Sequence, residues 1–224
     1  MSGLFTKKIL PTMPTIGAPK MPQVEAKPFG MPFGIDIYHN DKDWTKMRLD
    51  FIFIKATEGD SHVDSKFSEW RATARGKGLP CGAYHFLRGG DIKPQIDRFL
   101  QTIGYLQTGE LPCVLDWEAR DAKSVSDAAT WLQAVEAKTG ITPIIYSSHS
   151  FLIEKNLPDS FAKYPLWIAR PGSDTPFYNG KLPRPWNTWA FWQKAFGENG
   201  SASGFDENVY NGSIEDMKKF YVKK

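Results

Sequence analysis

Short apolar runs alternate with amphipathic stretches along most of this chain. Eight of the runs have the length of buried strands, and most are rich in β-branched or aromatic residues. They cover 34–38, 51–56, 81–86, 113–117, 143–146, 166–169, 189–193 and 207–210. The pattern predicts a core of short strands separated by longer connecting segments.

Three of the connecting segments have the periodicity of helices. In 124–138, Val125, Ala128 and Leu132 recur at helical spacing, and Gly140 follows as a stop signal. The other two predicted helices cover 64–75 and 93–103. Strands that alternate with helices in this way favour a parallel sheet.

The number of strands indicates how that sheet is arranged. About eight strands in roughly 190 residues favour a closed barrel over an open, doubly wound sheet. Six prolines between residues 158 and 185 disfavour long helices in the last third of the chain. We therefore predict an α/β fold, a single flattened, degenerate TIM-like β/α barrel with fewer helices than strands.

The first 33 residues differ from the rest of the chain. They contain prolines at 11, 14, 19, 22, 28 and 32 and lack apolar periodicity, so we expect an extended Pro-rich arm before a barrel over 34–224. The early prolines interrupt the apolar stretch that a signal peptide needs, and no window approaches the roughly 20 apolar residues of a membrane span. The sequence predicts neither a signal peptide nor membrane insertion.

Composition narrows the classes of site. The net charge of +3 comes from 28 basic and 25 acidic residues, an ordinary balance, and we expect no nucleic-acid partner. The four histidines, at 39, 62, 85 and 149, have no paired spacing, and neither Cys81 nor Cys113 stands at a zinc-ligand interval from them. We expect reduced cysteines, no metal site and no cofactor.

The segment Leu111-Pro-Cys-Val-Leu-Asp-Trp-Glu118 is an apolar strand that ends in two carboxylates. Because strand side chains alternate, Asp116 and Glu118 should face the same side, which in a barrel is the interior. Barrel active sites lie at the carboxyl ends of the strands, and adjacent buried acids have pKa values that move apart. The alternative is a helix-capping Asp followed by an exposed Glu.

Other predicted strand ends also carry acids, namely Asp36, Glu58 and Asp206. Taken alone, each of these acids is more often a turn or ion-pair residue than a functional one. Acids from four strand ends at one mouth favour a functional site, since carboxylates repel one another and are costly to gather.

Aromatic residues stand near several of the same strand ends. They are Tyr84, Tyr146, Trp167, Trp189 and Trp192. Flat amphipathic rings suit the apolar faces of sugars, although core packing explains aromatic residues on predicted helix faces, such as Trp70 and Trp131.

Seven motifs occur in an order that resembles glycoside hydrolase family 25, the Chalaropsis-type lysozymes or N-acetylmuramidases. They are Gly34-Ile-Asp36, Lys55-Ala-Thr-Glu-Gly59, Gly82-Ala-Tyr-His-Phe86, Leu115-Asp-Trp-Glu118, Leu166-Trp-Ile-Ala169, Trp192-Gln193 and Asp206-Glu-Asn208. The resemblance runs from residue 34 to about residue 212. It implies a flattened catalytic barrel that cleaves the β-1,4 bond between N-acetylmuramic acid and N-acetylglucosamine in peptidoglycan.

The resemblance also implies roles for individual residues. Glu118 matches the general acid/base, Asp116 the residue that orients the substrate's acetamido group, and Asp36 and Asp206 the acids that line the centre. The positions that would bind sugar are Glu58, Tyr84, His85, Tyr146, Trp167, Trp192 and Gln193. Hydrolysis would retain configuration, with the acetamido oxygen as nucleophile.

Two departures from the family pattern bear on substrate preference. Tyr38-His-Asn-Asp41 follows the first acid, and Arg170-Pro171 stands where the family has an aromatic residue. A non-catalytic glycan-binding or virion structural protein and a chitinase-like hydrolase remain the alternatives. We expect a monomer made in the cytoplasm that acts on the bacterial wall, as a phage lysin, a virion-associated enzyme or a delivered effector, with residues 1–33 contacting a virion or delivery partner.

Overall fold

The computed structural model describes residues 30–122, 124–197 and 200–223. The predicted Pro-rich arm falls almost wholly outside the described residues. The strands are β1 (Phe33–Ile37), β2 (Phe51–Glu58), β3 (His62–Val63), β4 (Cys81–Phe86), β5 (Val114–Asp116), β6 (Ile144–Ser148), β7 (Leu166–Ala169), β8 (Phe191–Ala195) and β9 (Asp206–Tyr210). The α-helices are α1 (Phe67–Gly76), α2 (Ile92–Ile103), α3 (Val125–Thr139), α4 (His149–Ile153) and α5 (Ile214–Met217), and 3₁₀ helices cover Asp159–Lys163 and Lys218–Phe220.

Eight of these strands close into a barrel. Their order is β1-β9-β8-β7-β6-β5-β4-β2, and β2 pairs with β1 to complete the ring, while β3 folds back on β2 as a hairpin. Most neighbouring strands of the ring pair in parallel, as predicted, but β9 runs antiparallel to both of its neighbours. Only residues 196–205 connect β8 to β9, too few for the helical crossover that parallel strands need.

Side chains alternate in direction along each strand, so the barrel sheet packs on both its inner and its outer face. Large rings fill the inside, where Phe53 stacks on Trp167 at 4.3 Å between centroids and Phe191 packs edge-on against Phe53. A Cβ atom on Gly34 would lie 2.5 Å from the Phe51 ring, and glycine is therefore required there. The inside of the barrel is a packed core, as the volume of a small barrel demands.

The outer face of the sheet packs under the helices. The predicted helices are confirmed as α1, α2 and α3 with small shifts at their ends. Helix α3 begins where the Ser124 side chain accepts a hydrogen bond from the Asp127 backbone N–H, and it ends at Gly140, whose φ is 70°. These caps explain why the sequence signals located this helix well.

The second half of the barrel has few helical crossovers. Between β6 and β9, the described residues contain only the five-residue α4 and the 3₁₀ helix Asp159–Lys163. This confirms the expectation that loops replace helices in the proline-rich region. No helix in the described ranges is long and apolar enough to cross a membrane.

Candidate active site

A cleft of about 540 Å³ opens at the carboxyl ends of the parallel strands. Its floor is the top of the aromatic barrel core, where Tyr146 and Trp167 meet with ring centroids 4.6 Å apart. The lining residues are Asp36, Tyr38, Asn40, Asp41, Lys55, Tyr84, Phe86, Asp116, Glu118, Tyr146, Trp167, Phe196, Gly197, Gly204 and Asp206. The four acids of the predicted catalytic set all line this one cleft.

Asp116 and Glu118 reach the cleft from the end of β5. Asp116 is the last residue of the strand and is buried, and its Oδ1 has no hydrogen-bond partner among the described residues. Glu118 lies two residues beyond the strand and is half-buried. The cleft therefore contains one buried oxygen that is free to accept a donor and one more accessible acid.

Asp36 and Asp206 face each other across the β1–β9 pair, where their backbones are in register. Because β9 is antiparallel, its first residue lies at the same mouth as the last residues of the parallel strands. The Gln193 amide donates to both acids, at 2.9 Å to Asp36 Oδ1 and 3.2 Å to Asp206 Oδ2. Asn208 Nδ2 donates to Asp36 Oδ1 at 2.7 Å.

The two amides are themselves oriented by buried donors. The Tyr146 hydroxyl donates to Gln193 Oε1 at 2.8 Å, and the Trp167 indole N–H donates to Asn208 Oδ1 at 2.8 Å. Each amide oxygen is thereby occupied, and each nitrogen points at a carboxylate. Asp36 is thus held by a network that reaches the floor of the cleft.

The electrostatics of the cleft favour protonated acids. Burial and then the charge of Glu118 raise the pKa of Asp116 well above its usual value, while burial and then Asp206 do the same for Asp36. Burial and then Asp206 also raise the pKa of Glu118, opposed by Lys55. Glu118 combines a raised pKa with access to the cleft, which a general acid needs.

A charged rim flanks the acids on the β2 side. Lys55 lies in the cleft and donates to Glu58 at 2.5 Å, and Arg88 pairs with the other oxygen of Glu58. Burial raises the pKa of Glu58, but its hydrogen bonds from Lys55 and Arg88 outweigh burial and lower it. Glu58 is therefore a fixed anion that orients Lys55, and it lies outside the cleft lining.

Comparison with known proteins agrees with this geometry. Residues 35–205 match the family described as glycosyl hydrolases family 25. The chain belongs to this family. It is 35% identical over 206 residues to the uncharacterized protein YegX of Escherichia coli K12, covering 84% of this chain and 72% of that protein.

Two lysozymes are also similar to this family 25 chain. Lysozyme M1 of Streptomyces globisporus is 32% identical over 203 residues, covering 80% of this chain and 68% of that protein. The crystal structure of the bacterial lysozyme from Streptomyces coelicolor superposes with a TM-score of 0.75 at 28% identity, covering 86% of this chain and 98% of that chain.

Besides Glu58, the predicted sugar-binding residues His85 and Trp192 of this family 25 chain do not face the cleft. His85 is completely buried on the outer face of β4, where it contacts Thr57 and Gln95 and stacks on Trp131. Trp192 packs outward against Trp189. Both predictions need correction, because neighbours on a strand point to opposite sides and Tyr84 and Gln193 occupy the inward positions.

Lys55 and Asn208 are site residues that were not singled out from the sequence. A signal for Lys55 was present, since it continues the inward alternation of Phe51 and Phe53 and is therefore a charge at a barrel-interior position. Asn208 belongs to a quoted motif, but its contact with Asp36 depends on the antiparallel course of β9.

Proposed function

We propose that this family 25 chain is a lysozyme, a muramidase that hydrolyses the β-1,4 bond between N-acetylmuramic acid and N-acetylglucosamine in peptidoglycan. The observation that carries the proposal is the single cleft in which Asp36, Asp116 and Glu118 all have raised pKa values above an aromatic floor. Gathering these acids opposes stability, and proton transfer gives the cluster a function.

Glu118 acts as the general acid in the first step. Its protonated carboxyl group donates a proton to the glycosidic oxygen as the bond from the anomeric carbon to that oxygen breaks. The resulting Glu118 carboxylate then removes a proton from the water that attacks the anomeric carbon in the second step. Two displacements at one carbon retain the configuration.

Asp116 assists the nucleophile of the first step, the acetamido oxygen of the substrate. As this oxygen bonds to the anomeric carbon, the acetamido N–H becomes more acidic and donates to the unpartnered Oδ1 of Asp116. A hydrogen bond to the charged carboxylate opposes the effect of burial and lowers the pKa of Asp116 when substrate is bound. The bond from the acetamido oxygen to the anomeric carbon closes a ring on the sugar, and the attacking water opens this ring in the second step.

The remaining cleft residues bind and orient the glycan. The rings of Tyr84, Tyr146 and Trp167 supply apolar faces for sugar, and Asp36 with Asp206 supplies hydrogen-bond acceptors near the scissile bond. Gln193 acts through these acids as a positioning residue. Glu58 acts through Lys55, which places an ammonium group beside the catalytic pair.

The wider assignments rest on the sequence. We propose residues 34–224 as the catalytic barrel, flattened and TIM-like, which acts as a monomer on the bacterial wall, and residues 1–33 as a segment for attachment or delivery. Strand β1 begins at Phe33, next to this proposed boundary.

Analysis of the products tests the bond specificity. Purified sacculi are digested, and mass spectrometry identifies the reducing-end sugar of the fragments, with chitin oligomers as a parallel substrate. We expect reducing N-acetylmuramic acid and slow or absent cleavage of chitin. Reducing N-acetylglucosamine or preferred cleavage of chitin would overturn the muramidase assignment, and binding without cleavage would support a glycan-binding protein instead.

The acetamido mechanism has a separate test. Sacculi are chemically de-N-acetylated and then, in one half of the sample, N-acetylated again. The wild-type enzyme should cleave only the re-acetylated sample, and Asp116→Asn should be severely impaired on it. Equal cleavage of both samples would exclude the acetamido oxygen as nucleophile and leave the bond specificity untouched.

A further inference from the structure

Two of the four histidines meet at the edge of the barrel mouth, outside the acidic cleft. His39 lies in the loop after β1, His62 is the first residue of β3, and Asp64 follows that strand. One donor atom from each of these three side chains lies within 4.8 Å of the others. Two imidazoles with a carboxylate form a typical ligand set for zinc and related divalent transition metals.

Half of this cluster is already held in place. Asp64 is buried, and its Oδ2 accepts the backbone N–H of His39 at 3.0 Å and lies 2.9 Å from His39 Nδ1. Its Oδ1 accepts the backbone N–H of Lys66 at 2.9 Å. The carboxylate is fixed by the backbone and directed at the imidazole of His39, as second-shell bonds direct the ligands of a metal site.

The remaining ligand of the set, His62, is exposed to solvent. Zinc bonds of about 2.0–2.2 Å in tetrahedral geometry place ligand atoms roughly 3.4 Å apart. His62 is exposed, and its ring centroid lies 5.8 Å from that of His39. The donor atoms of the three side chains already lie within 4.8 Å of one another, so a shift of an exposed side chain by about 1–2 Å would bring the set to zinc-ligand spacing.

The space beside the cluster can accommodate a further ligand. Together with His39 and His62, residues 58–61 and 88–89 line a cavity of about 420 Å³. Three protein ligands and a water molecule in this cavity would complete four-coordinate zinc. The cavity is open to solvent and is separate from the acids at Asp116 and Glu118.

We propose that His39, His62 and Asp64 form a zinc(II) site that joins the loop after β1 to the β2–β3 hairpin. The same loop contributes Tyr38, Asn40 and Asp41 to the lining of the cleft. A bound ion crosslinks this wall of the cleft to the hairpin and stabilises the folded state by mass action, because the unfolded chain does not hold the three ligands together.

Zinc binding to the full-length chain, purified without a polyhistidine tag and freed of metal by chelation, tests the proposal. Isothermal titration measures affinity and stoichiometry, cobalt(II) substitution reports tetrahedral geometry through its visible absorption, and thermal unfolding reports stabilisation. The decisive variant is His62→Gln, since His62 is exposed and its replacement leaves the core intact. His149→Gln is the matched control, because His149 lies beside Tyr178 in another part of the barrel.

We expect the wild type and His149→Gln to bind a single zinc ion per chain, with intense cobalt absorption and a raised Tm. His62→Gln should lose about tenfold or more in affinity and lose the rise in Tm. Equal zinc binding by His62→Gln, or no binding by the wild type at millimolar zinc, would overturn the proposal.

Discussion

Buried carboxyl groups flank both ends of strand β5, and they behave in opposite ways. Glu110 lies before the strand, where its side chain accepts hydrogen bonds from Arg71, Arg75 and the backbone N–H of Gln107. Burial raises the pKa of Glu110, but these donors outweigh burial and lower it to about 2. Glu110 is a permanent anion that ties α1 to the base of the barrel.

At the carboxyl end of the strand, the described residues place no comparable pair of guanidinium groups beside the acids. Asp116 and Glu118 face other acids and the ammonium of Lys55, and their pKa values are raised, first by burial and then by those acids. The comparison shows that burial alone does not decide the state of a carboxyl group. The neighbouring charge makes one end a structural anion and the other a proton carrier.

The largest effect is expected for Glu118→Gln at the catalytic end. The amide preserves shape but cannot donate a proton, so turnover on sacculi should fall by about 10²–10⁴-fold. The free energy of unfolding near neutral pH should stay the same or rise, because a disfavoured charge is removed. Reducing-end release and urea unfolding measure the two quantities, with the exposed Glu154→Gln as control; near-normal turnover would remove Glu118 from its role.

Glu110→Gln should give the reverse pattern at the structural end. It leaves Arg71 and Arg75 near the base of the barrel without their anion, which should cost about 3–5 kcal/mol of unfolding free energy. Turnover per folded molecule should change little, since Glu110 does not line the cleft. A variant as stable as the wild type in urea would contradict this reading of the ion pairs.

Ionisation of the carboxyl groups at the two ends of β5 should change the stability of the fold in opposite directions. Glu110 has a folded pKa of about 2 against an ordinary 4.5, so its contribution is present above the ordinary value and is lost as pH falls toward 2. Glu118 has a raised pKa, so its ionisation destabilises the fold at higher pH and this penalty disappears as pH falls. Urea unfolding from about pH 7 to 3 measures both effects as differences in unfolding free energy. The wild type should be more stable than Glu110→Gln at pH 7, and this difference should shrink as pH falls. Glu118→Gln should be more stable than the wild type at pH 7, and that difference should shrink as well. Parallel curves for wild type and Glu110→Gln would refute the assignment.

The smallest effect is expected for Arg75→Gln. Arg75 is more exposed than Arg71, and its loss leaves Glu110 paired with Arg71 in two hydrogen bonds. The cost should be about 1–2 kcal/mol, below that of Glu110→Gln. Urea unfolding of Arg75→Gln and Glu110→Gln compares the two losses of unfolding free energy. Equal losses would mean that Arg75 alone carries the stabilisation.

Much of the fold and of the acid set could be predicted locally. The alternation in β2 and β4 and the caps of α3 are encoded by neighbouring residues, which is why those elements were located within a few positions. The errors at His85 and Trp192 have one cause. A motif names adjacent residues together, whereas a strand directs them to opposite faces, and only the register shows which residue faces inward.

The sequence by itself determined the alternation of strands and helices, the acids at the strand ends and the family. Tertiary structure alone decided which acids share a neighbour, because Asp36 and Asp206 are 170 residues apart and meet only through the antiparallel return of β9. It likewise decided that His39 and His62 lie together and that Glu110, six residues before Asp116, meets arginines instead of acids. Local spacing fixes periodicity, but charge interactions depend on distance through space, and closure of the barrel sets those distances.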